Sequence, residues 1–441
     1  MDQITRDECG CADLREGTTR NVLEAREFSR RRFMQTTATG AAALAASAAL
    51  PRVVLAARGG NPPATGRDVL AVVFLRGGMD GLTTCVPYGD PELYNRRPTL
   101  AITPPGTTNG ALDLDGFFGL APAAAPFLQP YQSGKLAFVH ATGSVDPSRS
   151  HFDAQKFMEL GVLGAQSNGV STGWVGRYLQ TIPPAGSGLL RGLALSDILP
   201  RSFAGAPATL PVADPGTFTL PGTVSTKPLR RQTLRHMYAG EAYPLGAAAL
   251  STFDTIDLLA TIDFAGYVPS NGAVYPATTF GTQMKTMAAL IKANVGVECL
   301  EADLGGWDLH NQLGPLTGAM ASNLDQLSKA MLAFYLDLGT GLDQVTLVAM
   351  SEFGRRAAQN ASLGLDHGHG NCMLVMGGHV NGGQVIRTWP GLATANLDSG
   401  DLAITIDHRD ILAEILQDRM ACTNLATVFP NYTPTFRNVT S

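Results

Sequence analysis

No segment of this 441-residue chain offers the run of about 20 apolar residues that a helix needs to cross a bilayer core of about 30 Å. The Ala-rich stretch from Thr36 to Leu50 is too short and too weakly apolar, and no later segment comes closer. Charge is sparse, at 16% Asp, Glu, Lys and Arg, and no basic stripe is present, which makes nucleic acid a poor partner. Cysteine is sparse too. Of six, Cys9 and Cys11 lie near the N-terminus, while Cys85, Cys299, Cys372 and Cys422 include no close-spaced pair, so pairing and burial stay open. The chain lacks a G-x-S-x-G elbow, which counts against an ordinary α/β-hydrolase. "RGGMDG" (Arg76–Gly81) has the glycines but not the spacing of a P-loop or a dinucleotide fingerprint, so that motif gives no reason to expect a nucleotide.

What is present begins with a leader. Ser29-Arg30-Arg31-Arg32-Phe33-Met34 reads as a twin-arginine export motif, followed by the Ala-rich run and a cleavage candidate at Val54-Leu55-Ala56. Residues 1–57 are therefore expected to be a signal peptide. Without residues 1–56 the chain carries 24 Lys and Arg against 30 Asp and Glu, a net charge of −6. Twin-arginine export moves folded proteins, so a cofactor can be loaded before export; this hints at a metal.

The rest is 45% hydrophobic over the whole chain and ample for a large core. Five apolar segments each adjoin a turn rich in polar groups: Val69–Leu75, Lys135–Ala141, Val297–Leu304, Gln344–Met350 and Cys372–Gly378. They are near-continuous apolar runs, as in a parallel sheet covered on both faces. Helical spacing appears from Ser150, with Ser150 and Asp153 set as a capping-box variant, and again over Thr282–Val295 and Leu316–Leu338. This alternation predicts an α/β fold, a three-layer α/β/α sandwich with a mostly parallel sheet. One domain is expected over 68–430, with an irregular insertion or cap around 183–269.

Ligands of such sheets bind beyond the carboxyl ends of the strands. Four of the five polar clusters fall there, and Asp366–His369 lies just before a strand instead. The carboxylates and imidazoles in them are Asp80, Asp308, His310, Glu352, Asp366, His367 and His369, donors for a divalent cation (Zn, Mn, Mg or Ca). Asp308 and His310 alternate by two, as do His367 and His369, so each pair could face one ion. Taken singly, each pair also reads as a turn aspartate with a solvated histidine.

Ser150 is either a nucleophile at a helix N-terminus or simply its N-cap, with Ser148 open to either role. His151 and Asp153 adjoin it, and capping explains Asp153 equally well. Arg76, Arg149 and Arg355 are candidate clamps for phosphate or sulfate, or else ordinary surface cations. We expect Asp80, Ser150, Asp308, His310, Glu352 and His369 to meet in one cleft.

The motifs "FLRGGMDGL", "VPYGDPELYNRRPTLAI", "SRSHFDAQ", "LGGWDLHNQ", "MSEFGRR", "LDHGHGN" and "GDLAITIDHRDILAEIL" stand in this order behind the leader. As a set they closely resemble the exported bacterial domain-of-unknown-function family fifteen-oh-one, over nearly all of Asp68–Pro430. Relatives of that family are generally placed in the alkaline phosphatase and sulfatase superfamily. The resemblance implies an α/β/α sandwich that hydrolyses phosphate or sulfate esters, with a nucleophile between two divalent metals. Asp80 then matches the early aspartate, Ser150 the nucleophile, Asp308 and His310 the next pair, and His367 or His369 the last ligand. Glu352-Phe353 stands where Asp-His is expected. Phe353 removes an imidazole, so either one metal is bound or Asp366 makes up the deficit.

These readings lead to an exported metal-dependent hydrolase of small-molecule or polymer-borne anionic esters, with Ser150, His151 and Arg355 at the reacting group. The alternative is a non-catalytic binding or assembly protein on the same fold. For the leader, replacing Arg30 and Arg31 together by lysine is expected to trap the protein in the cytoplasm, unprocessed. Cell fractionation and N-terminal sequencing of the mature chain, expected to begin near Ala57, check this.

Overall fold

The computed structural model describes residues 67–441, so the expected leader over 1–57 lies outside the described residues. A nine-stranded sheet organises the chain. Its strands are β1 (Val69–Leu75), β2 (Leu136–Gly143), β3 (Gly192–Ala194), β4 (Thr209–Pro211), β5 (Cys299–Leu304), β6 (Val345–Met350), β7 (Asn371–Gly377), β8 (Val385–Ile386) and β9 (Ile406–Asp407). The order is β8-β2-β7-β6-β1-β5-β3-β4, and β9 also pairs with β2. In register, Leu70 lies opposite Cys299 of β5 and Thr346 of β6.

All pairings are parallel except those of β7, which runs antiparallel to both β2 and β6. That one reversal explains the odd polar cluster. Entering β7 from its amino end delivers "LDHGHGN" to the same edge at which β1, β2, β5 and β6 finish. The rule of ligands at carboxyl ends therefore holds, with one strand contributing its start.

The near-continuous apolar runs are buried on both faces, as covered sheets require. On one face Ala71, Val73 and Leu75 join Met284 and Met287 of α5 (Thr279–Lys292) and Leu324 and Leu327 of α6 (Ala319–Leu338). On the other, Leu70, Val72 and Phe74 join Tyr178 and Leu179 of α2 (Trp174–Thr181) and Ile411 and Ile415 of α7 (His408–Asp418). The fold is thus the expected α/β/α sandwich. Cys85, Cys299, Cys372 and Cys422 are all buried and unpaired.

Residues 183–269, expected to be irregular, supply β3, the edge strand β4 and two helices, α3 (Lys227–Ala239) and α4 (Leu245–Leu259). The contacts divide the chain into two units, one containing Val224–Thr252 and the other containing residues 67–223 and 253–441 of the described chain. The sheet and all the residues of the next section belong to the second.

α1 (His151–Leu160) follows β2 through a loop and ends at Gly161 in the left-handed conformation that favours glycine. Its start is fixed by Ser150, whose Oγ accepts a hydrogen bond from the Asp153 amide at 3.4 Å. Half of the expected capping box forms, since the Ser150 amide donates to Ser148 Oγ at 3.3 Å instead of to Asp153, and His151 takes the first helical position.

Candidate metal centre

Asp308, in the loop after β5, is where the polar clusters meet. Its Oδ1 lies 3.3 Å from His151 Nε2, 3.0 Å from His310 Nε2 and 3.2 Å from His367 Nε2. His310 Nε2 and His367 Nε2 are 2.9 Å apart. Arg355 Nη2 donates to the same carboxylate oxygen at 2.8 Å.

Each imidazole is held from behind. His151 Nδ1 donates to Glu352 Oε1 at 2.8 Å, His310 Nδ1 to Asp366 Oδ1 at 3.1 Å, and His367 Nδ1 to the Arg149 carbonyl at 2.8 Å. A ring that donates through Nδ1 keeps its lone pair on Nε2, the form that ligates metals. His151 Nε2 is buried and has no hydrogen-bond partner, because its contact with Asp308 is poorly aligned. That nitrogen faces the Asp308 carboxylate, and the His151 ring lies edge-on to His367 with centroids 4.3 Å apart, an arrangement that a cation could bridge. His151, Asp308 and His367 each offer an atom within 4.8 Å of the others. The donor set of nitrogen and oxygen fits Zn²⁺ and its neighbours.

Glycine makes the approach of these loops possible. Gly77 has φ +115°, and a Cβ there would fall 2.8 Å from the Asp308 amide nitrogen. A Cβ on Gly368, between the two histidines of the HGH triplet, would fall 2.2 Å from the Arg355 carbonyl carbon.

The electrostatics favour a neutral ring at His367 and a charged one at His151. Burial, reinforced by the charges of His151 and Arg355, holds the His367 imidazole below its ordinary value, which favours the neutral ring. The hydrogen bond to Glu352 raises His151 above its ordinary value, despite partial burial. Burial pushes Asp308 up, but Arg355 outweighs it and holds the carboxyl far below the usual range. Hydrogen bonds from His310 and Asn360 lower Asp366 as well.

Several expected site residues have other roles here. Glu352 is buried and positions the His151 ring: Oε1 receives His151 Nδ1, Gln155 Nε2 at 2.9 Å and the Gly77 amide at 2.8 Å, and Oε2 receives the Ser351 hydroxyl at 3.0 Å. Asp366 likewise stands behind His310, steadied by Asn360 Nδ2 at 3.1 Å. Asp80 does not join the cluster. Its carboxylate takes a two-pronged ion pair from the buried Arg97, at 2.5 and 2.9 Å. His369 faces away, with Nδ1 on Asp398 at 2.6 Å and Nε2 on the Ser144 and Asp146 carbonyls at 3.0 and 3.1 Å.

The arginines are not free clamps either. Arg355 directs its donors to Asp308 and to the carbonyls of Gly77, Gly78, Trp307 and Leu365. Arg149 pairs with Asp401, and Arg76 with Glu159 and Asp303 at 2.8 Å each. Phe353, in place of an imidazole, lays its ring beside His151 and His367, with centroids 4.8 and 5.0 Å away. His151 as a metal donor is the feature the sequence did not announce, since its neighbour Ser150 drew the chemical reading. The partner of Asp80, Arg97, carried no signal in its motif.

Fold and site together define an α/β sandwich with a candidate mononuclear metal centre at one edge of its sheet. The family model described as "Protein of unknown function (DUF1501)" matches residues 141–426, and the chain belongs to that family. No curated protein matches the sequence. Among solved structures, the PsFucS1 sulfatase from Pseudoalteromonas sp. is similar at 10% identity and TM-score 0.36, over 85% of this chain and 70% of that one. The C-terminal periplasmic domain of EcEptC from Escherichia coli, in complex with Zn, follows at 7% identity and TM-score 0.28, over 70% and 73%. The alkaline phosphatase of the Antarctic bacterium TAB5 gives 9% and 0.29, over 70% and 92%. Overlaps this slight carry no argument about activity. Among the described residues no helix is long and apolar enough to cross a membrane.

One divalent cation per chain is the expected stoichiometry. His151→Ala and His367→Ala should each abolish tight binding in elemental analysis, whereas Asp80→Asn should leave the metal content unchanged. Because His151 must lose its proton to ligate and its value is raised, affinity should climb as pH rises from about 6 to 8. In metal-free protein the sign reverses. Stability from the His151⁺–Glu352 pair is complete below about pH 6.5 and is lost as pH rises through the raised value.

Proposed function

We propose that this protein is an exported metal-dependent hydrolase of phosphate or sulfate esters, with Ser150 as the nucleophile. One observation carries the reading: three imidazole Nε2 atoms converge on Asp308 at the edge of the sheet. The Asp308 side chain keeps 48% exposure there, so an ester can reach the centre. His151, His310, His367 and Asp308 would hold the ion, which when bound supplies Lewis-acid polarisation of a phosphoryl or sulfuryl oxygen.

The chain's own groups do the rest. Ser150 adjoins the ligand His151 and stands exposed at the amino end of α1. Its cap contact, at 3.4 Å, uses an oxygen lone pair and leaves the hydroxyl proton free to be donated. First-turn amides of a helix favour negative charge developing beside them. Glu352 fixes the His151 ring, Asp366 fixes His310, and the Arg149 carbonyl fixes His367, so little reorganisation is needed when an ester arrives.

A second reading, a non-catalytic metal-binding or assembly protein, has its own support. Four protein donors make a closed set of the kind structural sites use. Asp80 is engaged by Arg97 and Phe353 replaces an imidazole, so among the described residues the second cation position of a two-metal hydrolase lacks its donors.

Ser150→Ala separates these readings. Loss of a nucleophile should lower turnover of aryl phosphates or sulfates by at least about 100-fold, in line with the loss of a key catalytic group, with metal content unchanged. Loss of a cap alone should cost about 1 kcal/mol in a urea melt and leave turnover intact. Wild-type protein that binds the ion but hydrolyses neither ester class with Zn²⁺, Mn²⁺, Mg²⁺ or Ca²⁺ would establish the second reading.

A further inference from the structure

We infer that the centre takes ester groups bearing no more than one negative charge, sulfate monoesters and phosphodiesters rather than phosphate monoester dianions. This rests on the hydrolase reading and follows from the charges fixed around Asp308. Three carboxylates, those of Asp308, Glu352 and Asp366, stand among the three imidazoles. One guanidinium, that of Arg355, opposes them. A single divalent cation brings this set to neutrality and leaves no positive surplus for a dianion.

The surroundings add no positive surplus. Gln155 Nε2 donates to Glu352 Oε1 at 2.9 Å, and Gln155 Oε1 accepts from Arg76 Nη1 at 3.1 Å. Around that one arginine stand Glu159 and Asp303, at 2.8 Å each, and Glu301 at 3.7 Å. Burial pushes the Glu301 carboxyl well above the ordinary carboxylate range and raises Glu159 as well, so the charge that answers the guanidinium is that of Asp303, and Arg76 is left with no surplus to offer a ligand.

Cations beyond this shell are already balanced. Arg149 lies on Asp401 and Asp398, Arg97 on Asp80, and Arg356 donates to the Ser399 carbonyl at 2.9 Å and lies 3.8 Å from Asp401. A second negative charge on a bound ester would therefore meet carboxylates that no free guanidinium offsets. In a partly desolvated site such a charge is repelled much more strongly than in water. The arrangement works by disfavouring the wrong ligand, since the cation's attraction is shared by both.

The test is calorimetric binding to the zinc-loaded mature chain at pH 8, with two aryl phosphates that differ by one esterified oxygen. Phenyl phosphate is a dianion there, and methyl phenyl phosphate a monoanion. We expect the monoanion to bind at least about ten-fold more tightly, which converts to about 1.4 kcal/mol. Asp366→Asn, which keeps an oxygen facing His310, should narrow that ratio about ten-fold. If that variant loses zinc, Asp303→Asn, which does not touch an imidazole, should narrow it in its place. Equal or tighter binding of phenyl phosphate, or no binding of either ligand, overturns the inference. Absence of turnover alone would sink the hydrolase reading and leave the affinity ratio to decide this one.

Discussion

Asp308 faces three imidazole nitrogens and one guanidinium, and the local structure is largely the set of contacts needed to keep those four groups in place. A carboxylate so placed would collapse the cluster if the rings were free to turn. They are not free, because each has a fixed acceptor behind it: Glu352, Asp366 or the Arg149 carbonyl. Of these, Glu352 is the most consequential. A buried carboxylate is costly unless hydrogen bonds satisfy it, and four donors converge on this one. Its partners come from the loop after β1, from α1 and from Ser351, so a single side chain ties three segments to the metal-facing ring.

The sheet makes that meeting possible. β1, β2, β5 and β6 end at the edge where β7 begins. Had β7 run parallel to its neighbours, His367 would sit at the opposite end of the sheet, about 20 Å away for a strand of this length. Glycine at positions 77 and 368 then lets backbones pass where a Cβ would collide. Topology sets which loops meet, and the glycines set how closely.

The acidic character of the site and the absence of a free guanidinium clamp beside it form one pattern. Arg76, Arg149 and Arg355 all lie near the centre, yet each is bound to carboxylates or carbonyls and acts to hold loops together. Arg97 does the same for Asp80. In this protein the positive side chains around Asp308 are spent on holding the loops together.

The sequence alone determined the layers and named most of the side chains that gather around Asp308. Near-continuous apolar runs such as VLAVVFL reported buried strands because burial on both faces leaves no polar alternation, a local property of composition. Asp308, His310 and His367 were legible because carboxylates and imidazoles stood at strand ends. Which of these groups lie within reach of one another was decided only in three dimensions. Asp80 and His369 satisfy the same motif logic, but Arg97 captures one and Asp398 the other, from segments remote in sequence. The role of His151 depended on an orphaned Nε2, and that of Glu352 on four converging donors; neither can be read along a chain. Residue type fixes what a side chain can do, while its hydrogen-bond partners, brought from distant segments by the fold, decide which of those things it does.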